Sequence, residues 1–213
     1  IVFTDEVIDR IIAYQNDPTL PETVADGAGW ATTNKSNANN DWYDIYFGGT
    51  VNNQESISVK GGGKKASYYV SAGHVYNGST LQFGEDNFRR YNTVAKIDVK
   101  LADWWDFSVN NRFMNSNRIR PNLDSQGDYP LLFHFAANKM PTVPQFNPSG
   151  YRNYTSMIPL LEDGGNDKTV TNEFVQRFAT EIRLLKGFKV NADYTVKYNT
   201  LAFTSDNFTC YSD

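Results

Sequence analysis

The stretch Phe188-Lys189-Val190-Asn191-Ala192-Asp193-Tyr194-Thr195-Val196-Lys197-Tyr198-Asn199 sets a bulky or apolar residue against a polar one at every step. A period of two puts successive side chains on opposite faces of a β-strand, so this segment reads as a strand with one apolar and one polar face. Other runs carry the same signature. Ile57 and Val59 alternate with Ser56, Ser58 and Lys60, and residues 66–75 are rich in Tyr, Val and Ser. Thr93, Ala95, Ile97, Val99 and Leu101 oppose Asn92, Lys96, Asp98 and Lys100, with Val94 the exception. Phe107, Val109 and Phe113 oppose Ser108, Asn110 and Arg112. Phe174, Phe178, Ile182 and Leu184 oppose Arg177, Glu181 and Arg183. Several runs last about 10 residues, which suits a tilted strand crossing a bilayer and exceeds the soluble mode of roughly 5–6.

The connections alternate in length. Residues 61–65, 102–106 and 185–187 read as tight turns, 76–90 as a longer loop, and 115–172 as a much longer one. Short turns at one rim and long loops at the other mark outer-membrane barrels, with the long loops outside the cell. A connection as long as 115–172 is foreign to a compact soluble sandwich. Tyr68, Tyr69, Tyr91, Trp104, Trp105 and Tyr198 fall near strand ends, where amphipathic rings favour the headgroup level. The fold class expected is therefore all-β, an antiparallel transmembrane β-barrel. About six strands cannot close one, because the smallest such barrels have about eight. Open edges recruit other strands, and both ends of the chain read as cut, so the segment is expected to be part of a longer wall.

Composition agrees with a two-faced sheet. Across 213 residues, aromatics reach 15 %, yet mean hydropathy is only -0.54. Bulky rings coexist with many Asn, Asp, Ser and Thr, as a sheet between lipid and water requires. A tyrosine-rich soluble β-sandwich has the same composition, and only strand length and loop pattern separate the two. The net charge of -4 and pI near 5.2 give no footing for nucleic acid. No run approaches the roughly 18 apolar residues of a membrane helix, and no signal-peptide pattern opens the chain. Residues 4–15 read as an amphipathic helix, with Thr4 as N-cap and Val7, Ile8, Ile11 and Ile12 on one face. Loop follows over 19–40. Two regions result: a helix-and-loop segment over 1–50, then partial barrel over 51–213 with a long extracellular loop at 115–172.

Asn40-Asp41-Trp42-Tyr43-Asp44-Ile45-Tyr46-Phe47, followed by Ser56-Ile57-Ser58-Val59-Lys60-Gly61-Gly62, resembles the SusC/RagA family of TonB-dependent outer-membrane transporters. Tyr68-Tyr69-Val70-Ser71-Ala72-Gly73 and Phe88-Arg89-Arg90-Tyr91 are similar to that family's next hairpin. The resemblance is strongest over residues 40–101 and continues in pattern, not motif, from Glu173. It implies a barrel of about 22 strands, an N-terminal plug and energy from TonB reached through a missing N-terminal part. It also implies a SusD-like surface lipoprotein as lid, an outer-membrane location, and import of glycans or oligosaccharides, with peptides as the lesser option.

No catalytic constellation appears, and no cofactor is expected. His74 and His134 lack metal-ligand spacing. Gly61-Gly62-Gly63-Lys64-Lys65 lacks the phosphate-loop spacing and leads into no helix. Asp124, Asp128, Glu162, Asp163 and Asp167 are scattered carboxylates of the long loop. The residues expected to face the barrel lumen are Lys96, Asp98, Lys100, Arg112, Arg177, Glu181, Arg183, Asp193 and Lys197, together with Lys189. Trp30, Trp42, Tyr129, Tyr151 and Tyr154 are candidates to stack on sugar faces. A soluble cell-surface binding or adhesion module is the alternative reading, and detergent dependence separates the two.

Facing is the sharpest expectation. Ile97, Val99, Phe178, Ile182, Val190, Tyr194 and Val196 should meet lipid, because a slip of one residue would put every charge there at about 2–4 kcal/mol for a midplane arginine. Single cysteines at positions 97 and 99 should react with a lipid-soluble reagent in preference to those at 96 and 98. The opposite preference would reverse the assignment.

Overall fold

The computed structural model describes residues 3–32, 35–123 and 131–210. Helix α1 (Asp5–Asn16) is followed by a minimal hairpin of β1 (Ala25–Asp26) and β2 (Gly29–Trp30), then by the short helix α2 (Trp42–Tyr46). Strands β3 (Asn52–Gly62), β4 (Ala66–Asn77), β5 (Asn87–Ala102) and β6 (Trp105–Pro121) come next. Helices α3 (Leu131–Asn138) and α4 (Ile158–Asp163) lie in the connection to β7 (Asn166–Leu185) and β8 (Phe188–Ser205). The six long strands form one sheet in the order β3-β4-β5-β6-β7-β8, every neighbouring pair antiparallel. The molecule is thus predominantly antiparallel β, as expected, and the sheet is open.

All six expected strands are present, but β5, β6, β7 and β8 run further towards the loops than hydrophobic alternation suggests. Pairing of Asn115 with Asn172, and of Asn172 with Thr200, lies inside the ladder. Asn115 Nδ2 donates to Asn172 Oδ1 at 2.6 Å, and Asn172 Nδ2 donates to Thr200 Oγ1 at 3.2 Å. In β6 and β7 these stretches are mostly polar on both faces, with Met114, Ile119 and Val170 isolated among Asn, Ser, Thr and Arg, so they carry no continuous apolar period to read. Pro121 closes β6 at its last pair, where a missing N–H does least harm. Register slips occur beside two of the turns, between Lys100 and Ala102 and between Arg183 and Leu185. Gly187 makes the second of those turns with φ at 84°, a conformation that side chains resist.

Helix α1 starts after Thr4, as the capping pattern predicts, although the Thr4 side chain makes no capping bond. Of its apolar stripe, Val7 is buried while Ile8 and Ile12 stay exposed.

The long connection is not a bare loop. Its helices pack with α2 and the β4–β5 connection around one buried cluster, which includes Trp42, Tyr46, Leu81, Leu132, Val143, Ile158 and Leu161. Asp41 caps α2 by accepting from Tyr43 N and Asp44 N. That cap sets Trp42 and Tyr46 one turn apart on the buried side. Trp42 Nε1 donates to Met140 O at 3.0 Å, and Ala38 N and Asn40 N donate to Thr142 O and Pro141 O. Phe47 stacks on Phe133 with ring centroids 5.0 Å apart. Arg152 lies over the Phe146 ring at 4.3 Å and pairs with Glu162 at 2.8 Å. Residues 36–47 therefore join the long loop in a cap at the loop end of the sheet.

Tyr46 is the centre of this cap. It is fully buried, its hydroxyl accepts from Met157 N at 2.9 Å, and burial pushes its pKa up to about 12. Tyr46→Phe should leave the Met157 N–H unpaired, at a cost of about 1–3 kcal/mol. Amides of α4 should then exchange at least about fivefold faster while those of the sheet are unchanged. Unaltered α4 exchange would show that this bond does not hold the cap.

Candidate functional site

Cross-strand partners lie on the same face of a sheet, so the register sorts every side chain. Tyr68, Ile97, Val109, Phe178 and Tyr194 form one continuous row. Ala72, Thr93, Phe113, Phe174 and Tyr198 form another on the same face. The intervening rows make the opposite face: Tyr69, Lys96, Asn110, Arg177 and Thr195, then Ser67, Asp98, Ser108, Ala179 and Asp193. Lys100, Asp106, Glu181 and Asn191 continue it, as do Val94, Arg112, Val175 and Lys197. All the residues expected to share a lumen-directed face do share one face.

The apolar face is uncovered. Ile57 is 70 % exposed, Tyr194 66 % and Tyr198 63 %. Asn111 and Gln176, paired with one another, interrupt its centre. Where the strands meet their short turns, Trp104 stacks near Trp105 at 5.9 Å, and Trp105 Nε1 donates to Thr180 Oγ1 at 2.8 Å. Leu184, Leu185 and Phe188 are exposed beside them, so apolar and amphipathic residues collect at that rim.

Ion pairs bind the charged face together. Lys96 meets Asp98 at 3.0 Å, Arg177 meets Asp193 at 2.7 Å, and Lys197 meets Glu173 at 2.6 Å. Arg183 bridges β6 and β7 by pairing with Asp106 and Glu181, and Lys189 shares Glu181 at 3.3 Å. Two clefts open on this face. The larger, about 520 Å³, is lined by Asp98, Lys100, Asp106, Arg177, Glu181 and Asp193 among others. The smaller, about 250 Å³, is lined by Arg90, Asn92, Arg112, Met114 and Glu173 among others.

The four aromatic candidates among the described residues are not gathered. Trp42 is buried at 3 % exposure and committed to the cap, so its ring offers no open face for stacking. Trp30 is half-buried in the β1–β2 hairpin. Tyr151 and Tyr154 are exposed on the long connection, and Tyr129 lies outside the described residues. The hydrophobic pattern puts Arg90 and Arg118 in loops, yet both stand on the charged face. Counting back by twos from Lys96 reaches Arg90 and would have found it. His74 stacks on Tyr91 at 4.7 Å, far along the chain from His134 beside Asn138. Among the described residues no trio of His, Cys, Asp or Glu gathers to hold a metal, and no helix is long and apolar enough to cross a membrane.

No family model matches the chain, and no curated protein matches it.

Arg183 is the hub of the turn-side network, but its side chain is 44 % exposed. Exposed pairs contribute little and are screened by salt. Arg183→Gln should lower the unfolding midpoint slightly at low ionic strength. The difference should vanish near 1 M salt, where the Debye length is about 3 Å. A large, salt-independent loss would mean that the guanidinium holds the turn by packing.

Proposed function

We propose that this chain is a stretch of the wall of an outer-membrane active transporter of SusC/RagA type, importing glycans or oligosaccharides with energy supplied through TonB. It performs no chemistry. Substrate binds from outside beneath a SusD-like lipoprotein and passes inward when TonB acts on the plug of the complete protein. The observation that carries the reading is the sorting of the sheet: a broad uncovered apolar face, backed by a face on which the charges are gathered. Soluble proteins rarely expose apolar patches beyond a few hundred Å², whereas lipid covers such a face and a water-filled interior solvates the other.

Dimensions support the same conclusion. On β7 the apolar-face residues from Phe174 to Leu184 span about ten steps of roughly 3.3 Å, which at a tilt near 40° gives a band about 25 Å tall, the height of a barrel's lipid belt. Beyond Phe174, that face turns to Asn172, Thr200 and Asn115, residues suited to the headgroup region and the water above it. The cap stands at that end, where outer-membrane barrels carry their long external loops.

The site for an epitope follows from the structure. Gly165 has no space for an added Cβ, which would meet Asp206 O at 2.3 Å, whereas Gly150 has nothing within 4 Å. A tag inserted at Gly150, in the protein expressed in a diderm bacterium, should be stained on intact cells. Detergent extracts should show heat-dependent gel mobility. A monodisperse product that needs no detergent would sink the transporter reading and favour a soluble adhesion module.

A further inference from the structure

On β5 to β8 the charged face divides by ion pairing. Lys96, Lys100, Arg120, Arg177, Arg183, Lys189 and Lys197 each have a carboxylate within ion-pair distance. Arg90, Arg112 and Arg118 have none among the described residues; Arg90 and Arg118 stand towards the loop end and Arg112 at mid-strand. Arg90 lies across from Ser116 and Arg118 from Phe88, which makes the two arginines diagonal neighbours on adjacent strands. Arg90 and Arg112 line the same cleft of about 250 Å³. Its acidic wall residue, Glu173, is held by Lys197 at 2.6 Å, so the carboxylate does not offset the arginines.

The cleft is shaped by a glycine. Gly73 pairs with Asn92 across the β4–β5 ladder, and a Cβ there would meet Asn92 Nδ2 at 2.9 Å. With no side chain at position 73, the Asn92 amide lies down towards β4. Arg90 Nε is shut off from solvent with no acceptor among the described residues. A donor in that state is costly unless an acceptor arrives. A planar guanidinium matches carboxylate and sulfate oxygens in paired hydrogen bonds.

We propose that Arg90, Arg112 and Arg118 form a binding site for the acidic groups of an oligosaccharide bearing carboxylate or sulfate. The proposal rests on the transporter reading only in taking this face to border water that ligand can reach. It names the substrate class: charged glycans rather than neutral ones. The paired cations lack this capacity, because they are already directed at protein carboxylates.

The test uses the full polypeptide in detergent, with heat-dependent mobility scored first, so that failure of the wall reading is seen separately. Trigalacturonate, maltotriose and triglutamate are then titrated by calorimetry at low salt. Trigalacturonate should bind at least about tenfold more tightly than maltotriose, the scale of one strong charge-assisted contact. The double variant Arg90→Gln/Arg112→Gln should lose that preference with its ligand-free melting temperature unchanged. Lys96→Gln, whose cation is already paired, should keep the preference within about twofold. Equal affinity for the neutral sugar, or a preference that survives the double variant, would overturn the site. A fall in ligand-free melting would overturn it too, by assigning the arginines to an acidic segment of the protein itself. Triglutamate binding as tightly as trigalacturonate would overturn the assignment to a sugar.

Discussion

Strand parity is the constraint on which the rest of this structure depends. A β-strand repeats every two residues, so a pairing slip of one moves each side chain to the other face. Here the slip would exchange the row of Ile97, Val109, Phe178 and Tyr194 with that of Lys96, Asn110, Arg177 and Thr195. No environment accepts both arrangements. The ladder runs in one register along the body of each strand, and its irregularities fall beside turns, at Lys100/Ala102 and Arg183/Leu185. There an extra residue is absorbed without inverting the long rows.

How much of this was legible in the sequence depends on contrast between faces. Residues 188–199 alternate throughout, and β8 starts where the pattern puts it, at Phe188, and runs on to Ser205. The loop-side extensions of β6 and β7 were not legible, because Asn, Ser and Thr occupy both faces and pair through backbone and side-chain amides. The same blindness hid Arg90 and Arg118. Trp42 misled in another way. It reads as a candidate to stack on sugar, but Asp41 caps a single helical turn that directs the indole into a core formed by residues about a hundred positions away. Local composition cannot report a partner so distant in sequence.

The cap changes what a long loop means here. Backbone groups in an unpacked connection are left to water, whereas residues 36–47 and the β6–β7 connection satisfy one another's donors. Burial sharpens this. Lys139 reaches over the Trp42 ring and donates to Thr155 O, and desolvation holds its pKa below the ordinary lysine value. A cation is accepted there because an aromatic face and a carbonyl replace part of its water. Loops built this way present a shaped surface rather than a mobile fringe.

The two ends of the sheet are consequently held by different forces. At the loop end, α2 precedes β3, Leu81 lies between β4 and β5, and α3 and α4 lie between β6 and β7, and all of them meet in one apolar cluster. Burial there ties together strands that are not sequence neighbours. At the turn end the strands are joined by short turns, by Trp105 bonded to Thr180, and by carboxylates shared among Lys189 and Arg183. Apolar burial is not screened by salt, while exposed ion pairs are. The strands β3 and β8 keep one free edge each within the described sheet. Such edges persist only when other strands continue the ladder or something covers them. The described sheet is thus held by apolar burial at its loop end and by turns and exposed ion pairs at the other.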